Sequence, residues 1–366
     1  MPRTTSANDL YVGLMSGTSV DAIDAALVRF SPACDIVAWH SHPIPEQLRS
    51  SILELCQPGD NEIDRFGQLD VALGDLFAEA TLALLDSAGV SADAVTAIGS
   101  HGQTVRHRPG DGGFSLQLGS ADVISARTGI ATVANFRNHD MVLGGQGAPL
   151  VPAFHASVFG LAGERRVVAN IGGMANITVL DGDAVSGGYD TGPGNVLMDS
   201  WIYQQRGEHL DHNGEWAASG QCLDELLADM LTDDFIRRPA PKSTGREDFD
   251  VHWLARWPLE QSAPADVQAT LLAFTARSLA DAVNNAAADR LLVCGGGARN
   301  DTLMRALAAL CNCPVTSTDD YGVPPEQVEA AAFAWLARAR MAGAPGNAPA
   351  VTGANRAAVL GALYLP

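Results

Sequence analysis

Asp190 stands within "GYDTGPGNVLMD", residues 188–199, ahead of a tight turn built on Gly192, Pro193 and Gly194. Such a turn lets a ligand come close, so the carboxylate could serve as general base toward water or a hydroxyl. A local Asx turn, with Asp190 bonded to its own backbone, is the other reading. Three glycine turns end strand-like runs: Gly17 in "LMSGTSVDAID", Gly172 and Gly173 in "NIGGMANIT", and Gly295, Gly296 and Gly297 in "CGGGARN". Backbone N–H groups exposed at strand ends suit phosphate oxygens. None of the turns has P-loop spacing, and the triple glycine lacks the dinucleotide-fold spacing. Taken together they point to a nucleotide cleft.

"SHGQTVRHRP" groups His101, Gln103 and Thr104. These neutral donors and acceptors match sugar hydroxyls or an amide better than a phosphate, and a plain surface loop is the alternative. Glu329 falls in the first turns of a helix among Ala330, Ala331 and Ala332. It either complements the helix dipole or is a buried carboxylate facing a substrate. Lys242, in "PKSTGRE", is the single lysine beside 22 arginines. A compact ammonium kept where arginine is otherwise used has a phosphate contact or a loop anchor as its two explanations. "GGQGAPLVPAFH", residues 144–155, reads as a lid, hinge or domain crossing, with His155 a core residue.

Strand-like runs alternate with helix-like ones, the pattern of an α/β protein. "DRFGQLDVALGDLFAEATLALLDSAG" has helical spacing and closes on Gly89, while "AVTAIGSHGQTV" predicts a buried strand with a polar tip at Ser100–Thr104. The apolar–glycine–apolar pattern at Gly17 returns at Gly172, 155 residues later, which predicts two related domains facing one another. We place their boundaries at 1–132 with 352–366 and at 133–351. "MAGAPGNAPAVTG" reads as a linker, and "AAVLGALYLP" as a segment that returns to an existing domain.

The 366 residues are 47% hydrophobic and 18% charged, ordinary for a globular protein. A formal charge of −19 argues against nucleic acid or an anionic membrane as partner, yet leaves room for a nucleotide held by backbone amides and a metal. No signal peptide is visible and no apolar run approaches the ~18 residues that cross a bilayer, so a cytoplasmic location is expected. The six cysteines form no C-x-x-C framework, which predicts neither zinc nor a disulfide scaffold.

Eight segments in order, "GLMSGTSVDAID", "SHGQTVRH", "GGQGAPLVPAFH", "NIGGMANIT", "GYDTGPGN", "PKSTGRE", "CGGGARN" and "VTGANR", resemble the anhydro-N-acetylmuramic acid kinases. The resemblance runs over nearly the whole chain. It implies two ribonuclease-H-like, actin-like ATPase domains around a nucleotide cleft. It implies an enzyme that uses ATP and water to open 1,6-anhydro-N-acetylmuramic acid, giving N-acetylmuramic acid 6-phosphate in peptidoglycan recycling. Asp190 would be the base that activates water. Gly17, Thr18, Ser19, Val20, Asp21, Ala22, Ile23 and Asp24 would bind ATP, with Asp21 or Asp24 holding Mg²⁺. Gly172, Gly173 and Gly295–Gly297 would line the rest of the nucleotide site. His101, Gln103, Thr104 and Glu329 would face the sugar, and the enzyme would be a homodimer. Two positions depart from the family's pattern: Asn135 replaces an acid in "ANFRNHD", and Ala22 replaces a glycine. A kinase of another amino sugar, or a nucleotide-switched binding protein, are the alternatives on the same fold.

Overall fold

The computed structural model describes residues 9–17 and 19–366. Contacts divide the chain into two compact units. Unit 1 runs through Phe154 and resumes over Gln327–Pro366, and unit 2 spans His155–Glu326. Each has an apolar core of its own.

In unit 1, β1 (Leu10–Ser16), β2 (Ala22–Arg29) and β3 (Asp35–Pro43) form an antiparallel meander. β4 (Val95–Ser100) runs parallel to β1. β5 (Gln103–Arg108) and β6 (Phe114–Leu118) make a separate hairpin, and β7 (Thr132–Ala134) lies parallel to β4. The C-terminal strand Ala362–Tyr364 pairs with β7, so the last segment does return to an existing sheet. Gln103 and Thr104 thus open a strand of their own instead of forming a polar tip, because the chain breaks at His101–Gly102 before re-pairing.

Unit 2 repeats the plan. β8 (Arg165–Ile171), β9 (Met174–Asp181) and β10 (Ala184–Pro193) form the meander. β11 (Arg290–Cys294) lies parallel to β8 and β12 (Val315–Ser317) parallel to β11. The orders β3-β2-β1-β4-β7 and β10-β9-β8-β11-β12 are the same ribonuclease-H-like arrangement, as the repeated glycine hairpins predict.

The unit boundaries differ from the expected ones, and two packing features explain why. The helix Val328–Ala342 lies directly on β1 and β4, where Gly13 and Gly99 are register neighbours. A Cβ on Gly13 would run into the Ala330 carbonyl, and one on Gly99 into the Phe333 carbonyl. Bare backbone there lets helix and sheet meet at main-chain distance, which binds this helix to unit 1. The second feature is Asp140, fully buried, whose carboxylate accepts from Gly147 N (2.8 Å), Asn347 Nδ2 (2.7 Å) and Thr352 Oγ1 (2.8 Å). That carboxylate stitches the 144–147 loop to the Gly/Pro/Ala-rich stretch, which is packed and not a linker. Gln146 N to Thr352 O and Asn355 N to Leu143 O, each 2.8 Å, complete the seam.

Candidate active site

In unit 2, two glycine turns and Asp190 come together at the ends of adjacent strands. Gly172 and Gly173 join β8 to β9, and their carbonyls accept from the "GPGN" turn: Gly194 N to Gly173 O and Asn195 N to Gly172 O, each at 2.8 Å. A side chain on Gly194 would strike the Gly172 carbonyl. Gly295, with φ +79°, and Gly297 press against Asn170 and Ile171, so the third turn closes onto the same strand end. Asn300 then caps the helix Asp301–Leu310, accepting from Leu303 N at 2.9 Å.

Asp190 lies on β10 opposite Asn176, immediately before a bulge in the β9–β10 register. A bulge re-aims the side chain beside it, which is why such irregularities gather at reactive sites. The carboxylate does not form the local Asx turn. Its Oδ2 accepts from Ser243 Oγ at 2.9 Å and Thr244 N at 3.0 Å, both from the "PKSTGRE" segment. Oδ1 accepts from no group among the described residues and stays available. Burial pushes this carboxyl above its ordinary range, opposed by the Thr244 and Ser243 hydrogen bonds and the charge of Lys242.

Lys242 proves to be an anchor. Its Nζ donates to the Phe235 and Ile236 carbonyls, both at 3.0 Å, and lies 4.7 Å from the Phe235 ring centre. Its own carbonyl accepts from Asp190 N at 3.2 Å, so Lys242 and Asp190 are also joined through the backbone. A compact ammonium donates to two convergent carbonyls from a single nitrogen, the geometry that suits lysine over a planar guanidinium fork. Ser243→Ala removes a donor that favours the charged form, so the Asp190 carboxyl titrates higher still. The acid limb of the kcat/KM profile is then expected to move to higher pH, with about tenfold less activity below it. A limb at the wild-type pH would show that Ser243 leaves the titrating carboxyl untouched.

In unit 1, the opening hairpin closes with Val20 N donating to Gly17 O at 3.2 Å and Val20 at φ +56°. Thr18 lies outside the described residues. Val20 and Ile23 are buried, which leaves only their backbone for a ligand, while Gly17, Ser19 and Ala22 are partly open. The Asp21 carboxylate is exposed and paired with Arg49 at 3.3 Å. Asp24, three residues on along extended chain, points the other way. Burial pushes its carboxyl up, with a hydrogen bond to Ser41 opposing.

Around Asp24 stands a charged group that the motifs do not announce. Arg137 donates through Nη1 to Gly147 O (2.7 Å) and through Nη2 to His101 Nε2 (2.6 Å). Burial draws the guanidinium down to about 10, with the charge of Glu329 opposing. Burial, then the Asp24 charge, push the half-buried Glu329 carboxyl up, and Arg137 opposes. His101 is held neutral by burial and by Arg137, its ring 4.8 Å from that of Phe333. Gln103 is buried, accepts from Ser16 Oγ at 2.6 Å and donates to Thr104 O at 3.3 Å. Thr104 Oγ1 takes a bond from Gln117 Nε2 at 3.3 Å. Asn135 adopts φ +58° at the start of the helix Phe136–Val142, a left-handed conformation that asparagine tolerates. The His155 imidazole is buried, 3.0 Å from Thr178 Oγ1, consistent with a core role.

Sequence reasoning passed over Ser243, Thr244 and Arg137 as site residues. The signal for Arg137 was present, a cation in "ANFRNHD", the segment that leads toward the "GGQG" loop. Nothing local marks Ser243 or Thr244, which reach Asp190 across more than 50 residues.

Residues 9–366 match the family model described as Anhydro-N-acetylmuramic acid kinase. A Saccharophagus degradans protein of that name is 51% identical over 368 residues, covering 98% of this chain and 99% of its own. One from Coxiella burnetii strain RSA 493 is 49% identical over 361 residues, covering 97% of each.

Proposed function

The chain belongs to the anhydro-N-acetylmuramic acid kinase family, and we propose that Asp190 activates the water in its reaction. The reaction proposed consumes 1,6-anhydro-N-acetylmuramic acid, ATP and water, and yields N-acetylmuramic acid 6-phosphate and ADP, a step in peptidoglycan recycling. The observation that carries this reading is the free Oδ1 of a half-buried carboxylate whose Oδ2 is already fixed. The internal bridge leaves O6 no proton to lose, so the base acts on water. Oδ1 takes a water proton as the water oxygen bonds to C1 and the C1–O6 bond breaks. The O6 electron pair forms the new bond to the γ-phosphorus, and the bond to the β,γ-bridging oxygen breaks to release ADP. A carboxyl pushed up by burial is a stronger base than an exposed one, which suits this task.

Nucleotide contacts are proposed for the backbone of Gly17–Asp24 in unit 1 and for Gly172, Gly173 and Gly295–Gly297 in unit 2. For the sugar we propose Thr104 and Glu329 as contacts, with His101 and Gln103 acting through Arg137 and Ser16. Family membership implies Mg²⁺, which takes one or two carboxylates together with phosphate and water. Asp24 fits that donor set better than Asp21: its charge is felt by Glu329, and among the described residues no arginine forms an ion pair with it, whereas Asp21 is paired with Arg49. Asp24 would hold the cation, which when bound neutralises phosphate charge. A homodimer in the cytoplasm is part of the same proposal. No helix among the described residues is long and apolar enough to cross a membrane.

Incubation with ATP, Mg²⁺ and the anhydro-sugar in ¹⁸O-water, followed by mass spectrometry, tests the reaction. The expected product carries one ¹⁸O at C1 and phosphate at O6. Turnover of N-acetylglucosamine without turnover of the anhydro-sugar would overturn it.

A further inference from the structure

The segment that holds Asp190 continues into Arg246, which neither the base nor the anchor uses. Gly173, in the turn between β8 and β9, has its open side filled by this guanidinium. A Cβ there would come within 3.0 Å of Arg246 Nε and 3.1 Å of Nη2. Arg246 is exposed, and among the described residues it makes no hydrogen bond or ion pair. Lys242, four residues earlier, is committed to the Phe235 and Ile236 carbonyls and to the Phe235 ring. Asp199, in the first turn of the helix Val196–Arg206, feels the Arg246 charge. Burial pushes its carboxyl up to about 6, against the Arg246 charge. An uncommitted cation therefore rests on a glycine turn whose neighbours fix the base.

We propose that Arg246 is the cation of unit 2 that grips the γ-phosphoryl group of ATP at the Gly172–Gly173 turn. The proposal rests on the ATP-dependent reading above and adds a residue to it. The physical need is plain. As O6 bonds to phosphorus and the bridging oxygen leaves, negative charge stays on the three non-bridging oxygens, and a planar five-donor fork can hold two of them at once. The overall charge of −19 makes such a local cation more necessary, since the surrounding field repels the nucleotide. Gly173 acquires a second reason to be glycine: besides shaping the turn, it gives the guanidinium its seat. The same strand-to-loop contacts that hold Asp190 Oδ2 fix where Arg246 begins, so base and phosphate clamp are carried on one short segment.

Equilibrium binding of ATP, ADP and adenosine to the full chain tests this without relying on turnover. Arg246→Ala is expected to weaken ATP about 10- to 100-fold while ADP changes far less and adenosine not at all. Arg246→Lys should recover part of the loss, because it keeps the charge but not the fork. Gly173→Ala should reproduce the ATP-selective loss by displacing the guanidinium, with Arg246 itself intact. Wild-type ATP affinity in Arg246→Ala would overturn the proposal. So would an equal loss for all three ligands, or a loss shared fully by ADP. The reading beneath it fails separately: a wild-type protein that binds ATP through Arg246 but leaves the anhydro-sugar unchanged would overturn the reaction and keep the clamp.

Discussion

Asp190→Asn is expected to lower kcat by about 10²–10⁴-fold, the range a general base contributes. The substitution isolates proton transfer unusually well here. An asparagine amide oxygen can still accept from Ser243 Oγ and Thr244 N, so the 242–246 segment keeps its hold on β10. The bulge after Asp190 and the backbone bond to the Lys242 carbonyl do not depend on the side chain's charge. What disappears is the basic lone pair at the free oxygen. ATP binding should therefore stay near wild type while turnover of the anhydro-sugar collapses, and single-turnover kinetics with a calorimetric titration would separate the two. A variant that turns over at close to the wild-type rate would remove Asp190 from the base role.

The second large effect concerns stability. Gly13→Ala and Gly99→Ala should each destabilise the protein by about 3 kcal/mol or more, read as a lower urea midpoint. The new methyl groups meet the helical carbonyls of Ala330 and Phe333, and backbone yields less readily than a flexible side chain. Relief requires the helix Val328–Ala342 to lift from β1 and β4. That helix carries Glu329 and the Phe333 ring against His101, so on the sugar contacts proposed above surviving protein should also bind substrate poorly. Gly67→Ala supplies the contrast. It lies in the helix Glu62–Ala88 with open space around it, and there alanine should stabilise by about 0.5–1 kcal/mol. If Gly13→Ala behaved like Gly67→Ala, the close helix-to-sheet contact would be refuted.

The extent to which the molecule was legible varies with the range of the forces involved. Gly89 ends its helix in the left-handed region, as its place after an apolar-periodic run predicts. The apolar–glycine–apolar hairpins are present in both units because strand period and turn geometry are properties of a few adjacent residues. The stretch at 341–353 misled for the complementary reason. Its glycines, prolines and alanines carry linker composition, but Asn347 and Thr352 are drawn in by a carboxylate more than 200 residues earlier. Composition does not register a partner that distant.

By itself the sequence determined the α/β class, the duplicated hairpins, the family, and Asp190 with the glycine turns as the residues to examine. Each of those is carried by residue types at short spacing, where local sterics and chemistry decide the outcome. Only the tertiary structure decided that Ser243 and Thr244 hold Asp190 by one oxygen, that Lys242 anchors them, and that Arg137 sits between His101 and the charge of Glu329. Those arrangements depend on which distant segments are buried together. A hydrogen bond or a raised carboxyl exists only once folding has removed the water that would otherwise satisfy it.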